Sequence, residues 1–250
     1  MTAIHTFDNG IKIYDHHLIA SQRARYQHCN VHEEDEEKIF LDTIQDCPHG
    51  SCFVSVGTAV GYYPLLTRQR RPDIRLCCFE PLPRHRDYFL ENIILNGHDP
   101  GCFEIFDLAI STGSMELKLV DENFSSHVAS ASAINRGRQL LRRLLKRQQT
   151  PQSITVQAIR LVDVFQTIKM SSIALLQMDI QGHEEAVLRT YFNTISTGEH
   201  RIERFLIGTH GDSIHQACAR MLHDNGYTLL VDNPDTLNQP DGILLAKLNP

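Results

Sequence analysis

Residues 52–63 read CFVSVGTAVGYY, and the punctuation of this stretch decides the fold. Residues 52–56 have the length and apolarity of a short buried strand. Gly57 and Gly61 then bracket a turn, and a helix starts near Tyr62. Glycines at such a turn let the backbone approach a ligand without side-chain interference, and they equally allow tight packing with no ligand. The spacing is not the GxGxxG of a dinucleotide fingerprint, and no GKS or GKT follows for nucleotide phosphates.

The same alternation extends outward. RLCCF (75–79) is a second apolar run, followed by Glu80, two prolines and a helical stretch through Asn96. A third strand is expected at 103–107, and a fourth at 115–120, paired with 153–159. IALLQMDI (173–180) runs into Gly182 and a helix ending near Phe192. FLIGTH (205–210), a helix over 213–224, YTLLV (227–231) and ILLAK (243–247) complete the series. Strands alternating with helices predict an α/β fold, a doubly wound and mostly parallel sheet with helices on both faces. Ligands of such sheets bind beyond the carboxyl ends of the strands, where the strand order reverses.

Residues 1–30 show weak periodicity and read as an irregular N-terminal arm, with the main domain over 31–250. HEEDEEKIFLDTIQD (32–46) reads as a helix with acids crowding its start, where the helix dipole favours them. A helical insertion is expected around 125–152. Within it Leu140, Leu141, Leu144 and Leu145 share one helical face, and Arg138, Arg142, Arg143, Lys146 and Arg147 the other. The basic helix 136–147 suits an anionic acceptor or an acidic surface, or serves as an amphipathic lid or homodimer element.

The chain has 250 residues, 42% hydrophobic and 22% charged, enough for one sizeable core. Its net charge of −6 gives no general argument for nucleic acid, and none is expected as a partner. No run approaches the roughly 20 apolar residues of a membrane helix, so no transmembrane segment is expected. The first residues, MTAIHTFDNG, carry no secretory pattern. Seven scattered cysteines without a CxxC pair point to the reducing cytoplasm rather than a disulfide framework.

Three strand ends carry candidate chemistry. Gly57 and Gly61 form the first. Glu80, at the end of the second strand, can accept both hydrogen bonds of a ribose diol; alternatively it is an acid at a helix start. Asp179 and Gln181 follow the 173–180 run. Asp179 can orient a substrate hydroxyl, take its proton or cap the next helix.

Together these segments resemble the FkbM family of class I S-adenosylmethionine-dependent methyltransferases. The family pattern has a glycine turn like DVGANIGYYSLL, an FEP segment leading into ENxxLNG, and KIDVQGxE. Here they read SVGTAVGYYPLL (55–66), CFEPLPRHRDYFLENIILNG (78–97) and LLQMDIQGHEEAVL (175–188). Smaller echoes are DLAISTGSMEL (107–117) and IRLVDVF (159–165), so the resemblance spans roughly residues 30–245. It implies a Rossmann-like fold with S-adenosylmethionine across the strand ends. Ser55, Gly57, Thr58, Ala59 and Gly61 would face its methionine part. Glu80, with Pro81 and Leu82, would face the ribose, and Asp107, Leu108 and Ala109 the adenine. Asp179 and Gln181 would face the donor or the transfer point. The reaction usually assigned to the family is O-methylation of a hydroxyl on a sugar or other small molecule. Four positions depart: Ser55 replaces an acid that helps hold the donor ammonium, Thr58–Ala59 replaces AN, and Gln177 replaces a lysine. Acids of the 33–37 run are candidates to replace the missing charge.

Asp179, His210 and His183 are the candidate catalytic residues, each just beyond a strand end, with Asp179 and His210 ranked ahead of His183. No metal is expected. THGDSIH (209–215) offers His210, Asp212 and His215, but Asp212 also reads as a helix cap. The competing readings are a binding or scaffold domain without turnover, which Ser55 and Ala59 favour, and a dinucleotide oxidoreductase, which the missing third glycine disfavours.

Overall fold

The computed structural model describes residues 2–121, 127–128, 152–195, 200–234 and 241–250. The chain opens with an antiparallel pair, β1 (Ile4–Thr6) and β2 (Lys12–Tyr14), followed by α1 (Ala20–Tyr26). This is where the irregular arm was expected. Phe7, Ile11, Ile13, Leu18 and Tyr26 are all buried in the same core as the main sheet. Strands of three residues are too short for alternation to stand out, so only packing reveals them.

The acid-rich helix follows as α2 (Glu34–Gln45). Next come β3 (Cys52–Val56), α3 (Tyr62–Arg70), β4 (Arg75–Phe79), α4 (Pro83–Leu95) and β5 (Glu104–Phe106). A side sheet is built from β6 (Leu108–Ser111), β7 (Met115–Asp121), β8 (His127–Val128) and β9 (Gln152–Arg160), in the order β6-β9-β7-β8. The expected pairing of 115–120 with 153–159 is the antiparallel β7–β9 ladder. The expected third strand ends at Phe106, and beyond Asp107 the chain enters the side sheet as β6, which the sequence reading did not separate. Of the insertion at 125–152, only residues 127–128 and 152 are described, and the basic helix 136–147 lies outside the described residues.

After α5 (Val164–Ile168) come β10 (Ser172–Ile173), β11 (Leu175–Met178), α6 (Glu184–Thr194), β12 (Arg201–Ile202) and β13 (Arg204–Thr209). The described chain closes with α7 (Asp212–Asp224), β14 (Tyr227–Asn233) and β15 (Gly242–Leu248). The central sheet has the order β14-β15-β13-β11-β3-β4-β5. β13, β11, β3, β4 and β5 are parallel, and β15 runs antiparallel between β13 and β14. Every residue of β3 and β11 is buried, as a sheet covered on both faces requires. Phe53 and Leu175 face the core shared with α2 and α3, whereas Val54, Val56, Leu176 and Met178 face the core under α6 and α7.

The chain builds β3, β4 and β5 toward one edge, then β11, β13 and β15 toward the other. The order therefore reverses between β3 and β11, and the crevice of such a sheet lies beyond their carboxyl ends. No helix among the described residues is long and apolar enough to cross a membrane.

Candidate active site

The crevice begins with Gly57, at the end of β3 with φ +79°. A Cβ there would overlap the carbonyl oxygen of Asp179, whose N–H donates to Val56 at 3.1 Å. Glycine is therefore needed for the two strand ends to meet. Ala59 is also left-handed, with φ +50°, and its N–H donates to Glu80 Oε2 at 2.7 Å. Glu80 Oε1 accepts from Leu82 N–H at 3.0 Å, with His85 Nδ1 3.4 Å away. Glu80 thus pins the glycine turn to the end of β4, and each carboxylate oxygen retains acceptor capacity for a ligand.

These ends border a cavity of about 390 Å³, within the usual range for small-ligand sites. Ser55, Gly57, Thr58, Ala59, Glu80, Pro81, Leu82, Leu108, Ala109, Asp179, Gln181 and His183 line it. Three expected residues do not. Gly61 caps α3 beneath the turn, where a Cβ would enter the Phe89 ring, so its lack of a side chain serves packing. Asp107 is exposed between β5 and β6. His210 stands behind Asp179, clamped by carboxylates.

Residues the sequence reading did not assign to the site form the remaining wall. Ile19, Ser21, Gln22 and Arg25 reach the cavity from α1 or its start, and Asp241 from the opposite side. A seven-residue helix and an isolated acid gave no periodic signal for them.

Ser55 and Gln177 are register partners on β3 and β11, and the Ser55 hydroxyl donates to Gln177 Oε1 at 3.2 Å. Gln177 Nε2 in turn faces Glu36 Oε1 at 3.4 Å. Two positions expected to hold an acid and a lysine thus form a neutral pair, and the acid stands one step away on α2. Glu33 lines the cavity beside it. Burial raises the pKa of both glutamates, reinforced by Asp179 and, for Glu33, by Glu36 as well.

A sequence model of the methyltransferase FkbM domain matches residues 55–229. The chain belongs to the FkbM methyltransferase family. No curated protein matches it in sequence. Among solved structures, an FkbM methyltransferase from Methylobacillus flagellatus KT is similar at 10% identity and a TM-score of 0.48. That similarity covers 79% of this chain and 43% of that one. TrmK of M. capricolum, solved with S-adenosyl-homocysteine, matches at 9% identity and TM-score 0.40 over 84% and 68% of the two chains. An rRNA methylase from Streptococcus thermophilus matches at 10% and 0.45, over 85% and 95%.

The methyl donor of the FkbM family is S-adenosylmethionine, and the cavity suits it chemically. Glu33, Asp179 and Asp241 give the cavity an acidic wall fit for a cation. Leu82, Ala109 and Leu119 pack as an apolar cluster at its other end, fit for a flat heterocycle.

The electrostatics reorder the candidate bases of this FkbM chain. His210 Nδ1 lies 2.9 Å from Glu184 Oε1, and its Nε2 lies 3.5 Å from Asp179 and 3.3 Å from Asp241. Glu184 Oε1 also accepts from the N–H groups of Ile180 and Gly182, so Nδ1 is the donor to it. Burial pulls His210 down, but the Glu184 bond and the charges of Asp179, Glu184 and Asp241 outweigh it, lifting the pKa to about 9. At neutral pH His210 is an imidazolium and no base. Asp179, Glu184 and His210 bring ligand atoms within 4.8 Å of one another, and the His210 cation supplies the positive charge among them. Burial raises Asp179 to about 6, opposed by His210 and supported by Asp241 and Glu184. His183 is lowered by burial, lines the cavity and meets Ser111 Oγ at 3.2 Å through Nε2. The metal alternative at 209–215 is not assembled, because His215 is spent on Thr209 at 2.7 Å and Asp232 at 2.8 Å.

Proposed function

We propose that this FkbM methyltransferase methylates a hydroxyl of a small molecule. The observation that carries the reading is Asp179: it lies at the switch point, lines the cavity and is ionised near neutrality beside the His210 imidazolium. When bound, S-adenosylmethionine supplies a methyl group already activated on sulfur. Glu33 holds the donor's ammonium end with Glu36 buried behind it, Glu80 holds the ribose, and Leu108 and Ala109 the adenine. Asp179 takes the acceptor's proton, since a carboxylate raised to about 6 is a stronger base than an ordinary one. His210 is a positioning residue that holds Asp179 in place, and Gln181, donating to Asp179 Oδ1 at 2.9 Å, fixes its rotamer. His183 orients the acceptor.

A small acceptor is favoured over nucleic acid because the cavity is compact, at about 390 Å³, and the net charge of −6 repels phosphodiesters. The cytoplasm is the proposed compartment, on the strength of the scattered thiols.

The experiment supplies label from S-adenosylmethionine to a panel of sugars, polyols and other hydroxyl compounds, with RNA in parallel. Label in a small hydroxyl compound that falls about 10²–10⁴-fold in Asp179→Asn, with S-adenosylhomocysteine affinity retained, supports the reading. Label in RNA alone refutes it.

A further inference from the structure

Outside the catalytic crevice, the N-terminal arm meets α4 at a second cluster of ligating side chains. His16 and His17 belong to the 3-10 turn Asp15–His17 between β2 and α1, and Glu91 projects from α4. One ligand atom from each lies within 4.8 Å of the other two.

Asn92 fixes the protonation of His17. Its Nδ2 donates to the carbonyl of Val60 at 3.1 Å, so its Oδ1 is the acceptor that takes the Tyr14 N–H at 3.3 Å. That oxygen faces His17 Nδ1 at 3.1 Å, so Nδ1 carries the proton. The ring cannot swing away, because it is fully buried and stacked on Tyr88 at 3.9 Å. Nε2 is therefore held 3.1 Å from Glu91 Oε2, and His16 Nε2 lies 4.0 Å from the same oxygen. Two lone-pair atoms at 3.1 Å require a cation between them, either a proton or a metal ion. The second imidazole favours the metal: two histidines and a glutamate form a recurrent three-ligand set that leaves a position for water. The side chains of His16 and Glu91 are each 52% exposed, so both have room to close on an ion. They border an open surface depression, which gives the ion a path in.

We propose that His16, His17 and Glu91 bind one divalent transition-metal ion, which fastens the arm to α4. Imidazole ligands select zinc, nickel or cobalt over magnesium or calcium. α1 starts directly after the His17 turn, and its Ser21, Gln22 and Arg25 form a wall of the cavity, so the ion steadies that wall.

The test titrates the full chain with Co²⁺, read by calorimetry and visible absorption, which separates imidazole ligation from cysteine thiolate. The expected result is one equivalent bound without thiolate charge-transfer bands, and a rise in Tm with the metal. His16→Ala and Glu91→Gln should each weaken binding by about tenfold or more and abolish the rise in Tm. Both positions are exposed, and circular dichroism with S-adenosylhomocysteine titration verifies that each variant is folded. No saturable binding below millimolar Co²⁺, unchanged affinity in both folded variants, or a thiolate spectrum would each overturn the proposal. In the first case the cation beside Glu91 is a proton.

Discussion

The carbonyl oxygen of Asp179 fills the space a side chain on Gly57 would need, so the end of β11 closes directly onto the glycine turn after β3. Gly57→Ala combines that overlap with a φ of +79°, and strain of such a backbone alone runs to about 1–3 kcal/mol. The variant should lose at least that much stability in urea unfolding and bind S-adenosylhomocysteine weakly. A variant of native stability would mean the strand ends part freely.

Ala59 holds a left-handed conformation with a Cβ, and the Glu80 carboxylate accepts its N–H. Ala59→Gly should raise stability by up to about 1 kcal/mol, since the steric penalty on the left-handed residue disappears. Glu80→Gln places a donor against N–H groups and should lower stability by about 1–3 kcal/mol, with a parallel loss of ligand affinity. Thermal melts and calorimetry on both variants check this.

Glu36 stands where the Ser55–Gln177 pair lacks charge. Glu33 lines the cavity beside it, and Glu33→Gln should weaken S-adenosylmethionine binding by about 1.5–3 kcal/mol, the usual worth of a hydrogen bond to a charged group. The pKa values of Glu33 and Glu36 are raised by burial, so in wild type donor affinity should increase with pH as they ionise, and that slope should flatten in the variant. Calorimetry at several pH values reads both effects.

His210 carries the pH dependence on the alkaline side. Its folded pKa of about 9 exceeds the reference 6.5, so its contribution to stability is complete below 6.5 and lost as pH rises through 9. Asp179 is raised from 3.8 to about 6, so its contribution likewise declines as pH rises through 6. Glu36, raised to about 8, adds a loss between those two, so the ligand-free protein should weaken progressively between pH 4 and 9, and His210→Gln should reduce the part near 9 in urea unfolding. Turnover should rise through pH 6 as Asp179 ionises and fall near 9 as its imidazolium partner is lost.

The N-terminal arm shows where local reading ends. Ile13 and Tyr26 lie in the main core, yet their strand and helix have no more than seven residues each and leave no periodic trace. Gly61 shows the opposite limit: its position in the turn was legible, but not that Phe89 rather than a ligand occupies the space above it. His210 was legible as a residue beyond a strand end. Its charge state was not, because that depends on Glu184 and Asp241, 26 and 31 positions away.

By itself the sequence determined the alternation of strands and helices, the glycine turn, and which strand ends carry Glu80 and Asp179. Those are short-range facts, set by side-chain polarity, backbone freedom and punctuation within a few residues. Three features arise only in the folded chain: Glu36 faces Gln177, the partner of the charge-depleted Ser55, the arm walls the cavity, and His210 is held as a cation. Those depend on distances between groups remote in the chain, and the electrostatic field at a buried site sums over all of them.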